Sequence, residues 1–132
     1  MRMNYSGYLK DNEGNIYYPR PNIKITNGIE FETGRIIDGK TEYGMIKNLG
    51  TAPNNERKDY STVDLSSSFT VSRYLIYAKN KSNKQILSIP FIALNLTDMT
   101  SAYLNDAKNI PCKANWDMSN FDLWIEIYYF KK

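Results

Sequence analysis

Apolar and polar residues alternate with a period of two along most of the chain, and Gly, Asn, Asp and Pro cut the alternation at short intervals. Successive side chains of a strand point to opposite faces, so this pattern predicts half-buried strands and, from their spacing, a sandwich or barrel. The clearest hairpin joins residues 29–37 and 40–46 through Asp38-Gly39, a two-residue loop suited to a type I′ turn. Residues 5–9 and 15–18 flank Asp11-Asn12-Glu13-Gly14 and predict a small N-terminal hairpin, with Asp bonding its own backbone and Gly supplying a positive φ. Pro19-Arg20-Pro21 closes it as an extended connector, because proline has no N–H to give a ladder. Farther along, residues 48–55 hold Gly50, Pro53 and Asn54-Asn55 and predict a loop, residues 59–65 a short edge strand, and residues 69–79 with 84–93 a third pair. Residues 94–108 predict a loop with a brief strand, with one helical turn through Leu94, Leu96 and Met99 as the alternative, 109–114 a strand, 115–120 a turn and 121–130 the last strand. The expected fold is all-β: an antiparallel β-sandwich over residues 22–132, preceded by a short β-hairpin and proline connector over residues 1–21.

The last strand separates two faces. Phe121, Leu123, Ile125, Ile127 and Tyr129 point one way and should enter the core. Asp122, Trp124, Glu126, Tyr128 and Phe130 point the other way, and three aromatics among two carboxylates are more apolar than a solvated strand face usually is. Trp124, Tyr128 and Phe130 are therefore expected at a subunit interface, with cover by a loop of the same chain as the alternative.

Composition narrows the function more than it names it. A chain of 132 residues has room for one domain with a core. Its 17 basic and 14 acidic residues leave a formal charge of +3, and they are scattered, so no nucleic-acid stripe is expected. Lys79, Lys81 and Lys84 surround one hairpin tip, but Asn and Ser separate them, as on a solvated turn. No apolar run reaches the roughly 20 residues of a membrane span, and residues 1–10 do not read as a signal peptide; membrane insertion is not expected. The single Cys112 permits no internal disulfide and sits in strand sequence as a small core residue. The chain has no His, which removes the usual general base and metal ligand.

Candidate chemistry is correspondingly thin. Asp117, Asp122 and Glu126 could in principle form a glycosidase pair with Trp116 beside them, but acids in turns and on outer strand faces are ordinary, and no catalytic role is expected. Asp11 to Asn15 has oxygen ligands near a Gly yet lacks the spaced carboxylates and distal Glu of a calcium loop; no metal and no cofactor is expected. The triplets at Asn4 and Asn95 match a glycosylation acceptor without the secretory context that would give them meaning. Trp116, Asp117, Asn115 and Tyr103 lie in polar, turn-like sequence. An aromatic ring packs on sugar C–H groups while amides and carboxylates bond hydroxyls, so these four are the candidate glycan or receptor contacts. The competing reading of Trp116 is a half-buried staple at a strand end.

Several segments, in order, resemble the C-terminal β-sandwich domains of bacteriophage tail-fibre and head-fibre proteins. Thr33-Gly34-Arg35-Ile36-Ile37-Asp38-Gly39-Lys40-Thr41-Glu42-Tyr43-Gly44 is similar to that family's strand, Asp-Gly-Lys turn and returning strand. Leu49-Gly50-Thr51-Ala52-Pro53-Asn54-Asn55, Tyr77-Ala78-Lys79-Asn80, Ile89-Pro90-Phe91 and Ile127-Tyr128-Tyr129-Phe130-Lys131 are similar to its loop, strand end, Ile-Pro step and closing aromatic strand. The segment Leu9 to Asn15 with Tyr18-Pro19 resembles what precedes such domains, while residues 94–107 match nothing in the family. The resemblance implies a virion structural protein made in the host cytoplasm and carried on the particle surface. It implies a homotrimer, contact with other virion proteins, and either attachment to a host cell-surface receptor or, as the alternative, decoration of head or baseplate.

Overall fold

In the computed structural model residues 25–62 and 69–131 are described throughout, together with the backbone of three short strands before them. Those three, β1 (Arg2–Asn4), β2 (Tyr8–Lys10) and β3 (Ile16–Tyr17), form a small antiparallel sheet in which Leu9 pairs with Tyr17 and Met3 with Leu9. The expected N-terminal hairpin is thus β2–β3, with β1 added; its Asp11–Gly14 turn and the Pro19–Pro21 connector lie outside the described residues.

The rest is a β-sandwich of two antiparallel sheets. The larger runs in the order β4 (Phe31–Ile37), β5 (Lys40–Thr51), β12 (Phe121–Lys131), β7 (Phe69–Asn80) and β8 (Ile86–Ser88). The smaller runs β6 (Arg57–Ser61), β11 (Asn109–Ala114), β10 (Met99–Ala102) and β9 (Phe91–Ile92). No helix occurs among the described residues.

Local chemistry accounts for most of these elements. Asp38 and Gly39 both take positive φ, 52° and 77°, as a type I′ turn requires, and Ile37 pairs with Lys40 across it. Asn80 organises the β7–β8 turn, its Oδ1 accepting from Ser82 N at 2.8 Å and Asn83 N at 3.2 Å. The pair expected over residues 69–79 and 84–93 is shorter than its sequence suggests. β8 ends at Ser88, and after the cis Ile89-Pro90 bond the chain crosses to the other sheet as β9, since Pro90 cannot donate to the first ladder.

The loop expected at residues 48–55 is corrected as well. β5 continues to Thr51, and only Ala52 onward leaves the sheet. A bulge makes this continuation compatible with Gly50: Leu123 pairs with Gly50 and Trp124 with Asn48, leaving Leu49 as the extra residue. Gly50 sits at φ 103° and donates its N–H to Asn48 Oδ1 at 2.8 Å. A glycine that suggests a loop in the sequence is a bend inside a strand.

β12 is the central strand of the larger sheet, and its odd face enters the core as the alternation predicts. Leu123, Ile125, Ile127 and Tyr129 are all buried. Ile110, Cys112 and Ala114 of β11 join the same buried cluster, and burial pushes the Cys112 thiol up to about 11. The Tyr129 hydroxyl donates to Glu30, and Lys131 Nζ approaches the same carboxylate at 2.6 Å.

Candidate binding surfaces

Strand β10 sends Thr100 inward and Met99 and Ser101 outward, and that choice sets the fate of the expected receptor residues. Trp116 belongs to the inner side. Its ring lies 5.8 Å from Phe91 and edge-on at 5.9 Å from Phe121, and its Nε1 donates to Thr100 Oγ1 at 2.9 Å. The tryptophan ties the end of the core to β10, with ring and donor both occupied.

Asn115 is committed to the backbone on both sides. Its Oδ1 accepts from Met99 N at 2.6 Å and its Nδ2 donates to Thr97 O at 2.7 Å, fixing the entry into β10. Asp117 accepts from Ser119 N at 2.9 Å, and bonding to Ser119 holds its carboxyl below the usual range. Tyr103 stands apart from these three: it is 56% exposed and faces outward. The four residues therefore do not converge on one site.

Tyr103 instead lines a trough across the outer face of the smaller sheet, with Arg57, Ser101, Pro111, Cys112 and Lys113 around it. A neighbouring depression of about 430 Å³ shares Ser101 and Lys113 and is walled by Pro90, Phe91, Ile92 and Met99. The face offers an aromatic ring, a hydroxyl and an ammonium over an apolar floor, and Arg57 at its margin pairs with Asp59 at 3.1 Å. Arg57, Ser101, Pro111 and Lys113 carry no sequence motif. The available signal was the two-residue period itself, which puts Ser101 and Tyr103 on the face opposite Thr100 and Ala102.

The outer face of β12 is crowded by its own sheet. Trp124 stacks parallel to Tyr77 with ring centroids 6.4 Å apart, and Lys79 Nζ lies 5.7 Å from the indole. Tyr128 carries the Arg73 guanidinium 4.2 Å from its ring centre and donates its hydroxyl to Glu126 Oε1 at 2.8 Å. Burial, with Glu126 adding to it, pushes the Tyr128 hydroxyl up to about 12. Trp124, Tyr128 and Phe130 are all half-buried in the single chain.

Close to that face lies a fully buried carboxylate, Glu42, that the alternation does not flag. Its Oε1 accepts from Thr33 Oγ1 at 3.0 Å and faces Arg35 at 3.6 Å and Arg73 at 3.7 Å. Its Oε2 accepts from Ser72 Oγ at 2.9 Å, Ser72 being the extra residue of a bulge opposite Tyr128 and Tyr129. Every polar atom of the carboxylate is engaged, and Arg73 joins it to the Tyr128 ring. This arrangement locks β4, β5, β7 and β12 together.

The carboxylates weighed for catalysis are likewise held. Asp122 accepts from Asn48 Nδ2 at 3.1 Å and pairs with Lys81 at 3.7 Å. Asp122 and Glu126 are four residues apart on one strand face, a separation of about 13 Å along the strand, longer than glycosidase pairs use. Comparisons with protein-family models, curated proteins and solved structures return no match.

Proposed function

We propose that this chain is a module of a bacteriophage particle, a small β-sandwich that assembles as a homotrimer on the virion surface and attaches to the host cell. Its work is binding and assembly rather than catalysis. One observation carries the reading: the segments that resemble phage fibre domains fall in order on β4, β5, β7 and β12 of the larger sheet and on the step to the smaller one. Thr33 to Gly44 build the β4–β5 hairpin, Leu49 to Thr51 the bulged end of β5, and Tyr77 to Asn80 the end of β7. Ile89-Pro90-Phe91 makes the step between sheets, and Ile127 to Lys131 finishes the central strand. Short turn motifs recur by chance in unrelated loops, whereas these segments follow one another in chain order through one sheet and its step to the other.

Host attachment draws its support from the trough. Tyr103 offers a ring face to sugar C–H groups, Ser101 a hydroxyl and Lys113 an ammonium, and the walls are apolar. Three copies on one particle would multiply a weak contact by avidity.

Immunogold labelling of intact particles tests the assignment. Label at head, tail or baseplate is expected; particles that stay bare under conditions that label the purified chain sink it. On host cells, saturable binding that weakens about tenfold for Tyr103→Ala supports attachment. Binding confined to other virion proteins assigns the chain to a structural fitting.

A further inference from the structure

Of the eleven exposed large apolar side chains among the described residues, six lie between Ile86 and Tyr103: Ile86, Ile92, Leu94, Leu96, Met99 and Tyr103; the others, Ile25, Ile29, Ile36, Tyr74 and Leu75, are spread over the larger sheet and its approach. At the tip of the β9–β10 loop, Leu94 is 103% exposed and Leu96 75%. The tip is not loose. Ala93 N donates to Asp98 O and Leu96 N to Ala93 O, both at 2.9 Å, while Asn95 Oδ1 accepts from Thr97 N at 3.0 Å and Asp98 N at 3.2 Å. Leu96 is held at φ 61°, a region that leucine enters only under constraint. Hydrogen bonds thus hold two leucines out in water, where neither contributes to the core.

Charge distinguishes this stretch again. Between Gln85 and Ala107 there is no Lys or Arg, although the chain has 17 basic residues, and the only acids there are Asp98 and Asp106. At the base of the loop lies the depression walled by Pro90, Phe91, Ile92 and Met99, with Lys113 at its border. Exposed apolar side chains beside an apolar depression mark a contact surface.

The geometry points to residues 92–99 as the contact between copies of this chain. The inference rests on the self-association in the function proposed above and moves its contact from the outer face of β12 to the β9–β10 loop. Cyclic symmetry brings the same residues of each copy together, so like charges near the axis would face one another. With Asp98 as its one charged residue the loop keeps that repulsion small, and the cores of protein interfaces are depleted of charge. An anionic membrane would be drawn by basic residues, which this loop lacks. The β12 face is less suited, since Trp124 and Tyr128 already stack on Tyr77, Lys79 and Arg73.

Analytical ultracentrifugation at micromolar concentration tests the contact. The wild type should sediment as a trimer and the double variant Leu94→Asp/Leu96→Asp as a monomer with an unchanged circular dichroism spectrum, because neither side chain reaches the core. Leu96→Gly removes the side chain and relieves the left-handed backbone. It should melt within about 4 °C of wild type and still associate at least about tenfold more weakly, a combination that a purely structural role for Leu96 does not produce. Trp124→Ala should stay trimeric. A trimer that survives the leucine variants overturns this contact and leaves the assembly reading intact, whereas a monomeric wild type overturns both. Cosedimentation of the wild type with phosphatidylcholine vesicles, abolished in the double variant, would also overturn it by making the loop a lipid contact.

Discussion

Single side chains do three different jobs in this molecule. Glu30 sits between Lys131 and the Tyr129 hydroxyl: burial works to raise its pKa, but these two partners outweigh burial and its carboxyl titrates below the usual range. A carboxylate whose pKa is lower folded than unfolded contributes stability above the unfolded value and loses it as pH falls through the folded one. The melting temperature should therefore drop between about pH 5 and pH 3, and Glu30→Gln should flatten that part of the profile in a thermal scan. Glu42 is satisfied by two hydroxyls and two guanidiniums, so Glu42→Ala should cost about 2–4 kcal/mol in urea unfolding, and Glu42→Gln, which keeps some acceptors, should cost less. Cys112 is buried with its thiol pushed up to about 11, so it should resist iodoacetamide at pH 8 until the chain unfolds.

Elements are shaped by glycines that act in opposite ways. Gly39 has φ 77° with open space around it, so Gly39→Ala meets backbone strain and no clash, costing about 1 kcal/mol. Gly44 lies under the Phe31 and Tyr128 rings, and a Cβ there would come within 2.8 Å of Phe31 Cζ and 3.0 Å of the Tyr128 ring. Gly44→Ala should cost about 1–3 kcal/mol by overpacking. Adding Phe31→Ala should recover part of that loss in a double-mutant cycle, whereas no second substitution of a neighbour should rescue Gly39→Ala. The two bulges, at Leu49 and Ser72, let the β5 and β7 ladders run the length of β12 while bending the sheet.

At the scale of the molecule, Trp116 is packed into the framework while Tyr103 stands exposed on the outer face of the smaller sheet. Trp116→Ala removes ring packing against Phe91 and Phe121 and should cost about 2–4 kcal/mol, whereas Tyr103→Ala should leave the melting temperature unchanged and affect binding alone. A Trp116 variant that melts like the wild type would return that residue to the candidate contacts. Because β12 pairs with both β5 and β7 and its inner face is buried, Ile125→Asp should abolish cooperative unfolding.

Alternation along residues 121–130 was enough to separate a buried face from an outer one, and Asp38-Gly39 was enough to locate the tightest hairpin, because both depend on neighbours in sequence. The strand of residues 109–114 was legible for the same reason. The continuation of β5 through Gly50, the switch of residues 91–92 to the second sheet and the burial of Glu42 were not legible, since each depends on partners many positions away. The same holds for the candidate contacts. Local polarity grouped Trp116, Asp117 and Asn115 with Tyr103, but packing against Phe91 and hydrogen bonds to Thr100 and Met99 drew the tryptophan and asparagine into the framework. The chain alone was enough for the all-β class, the Asp38-Gly39 turn and the core face of β12, because a two-residue period and a positive φ are local properties. Which aromatics stay exposed became visible in the fold, because exposure is set by what the rest of the chain lays over them.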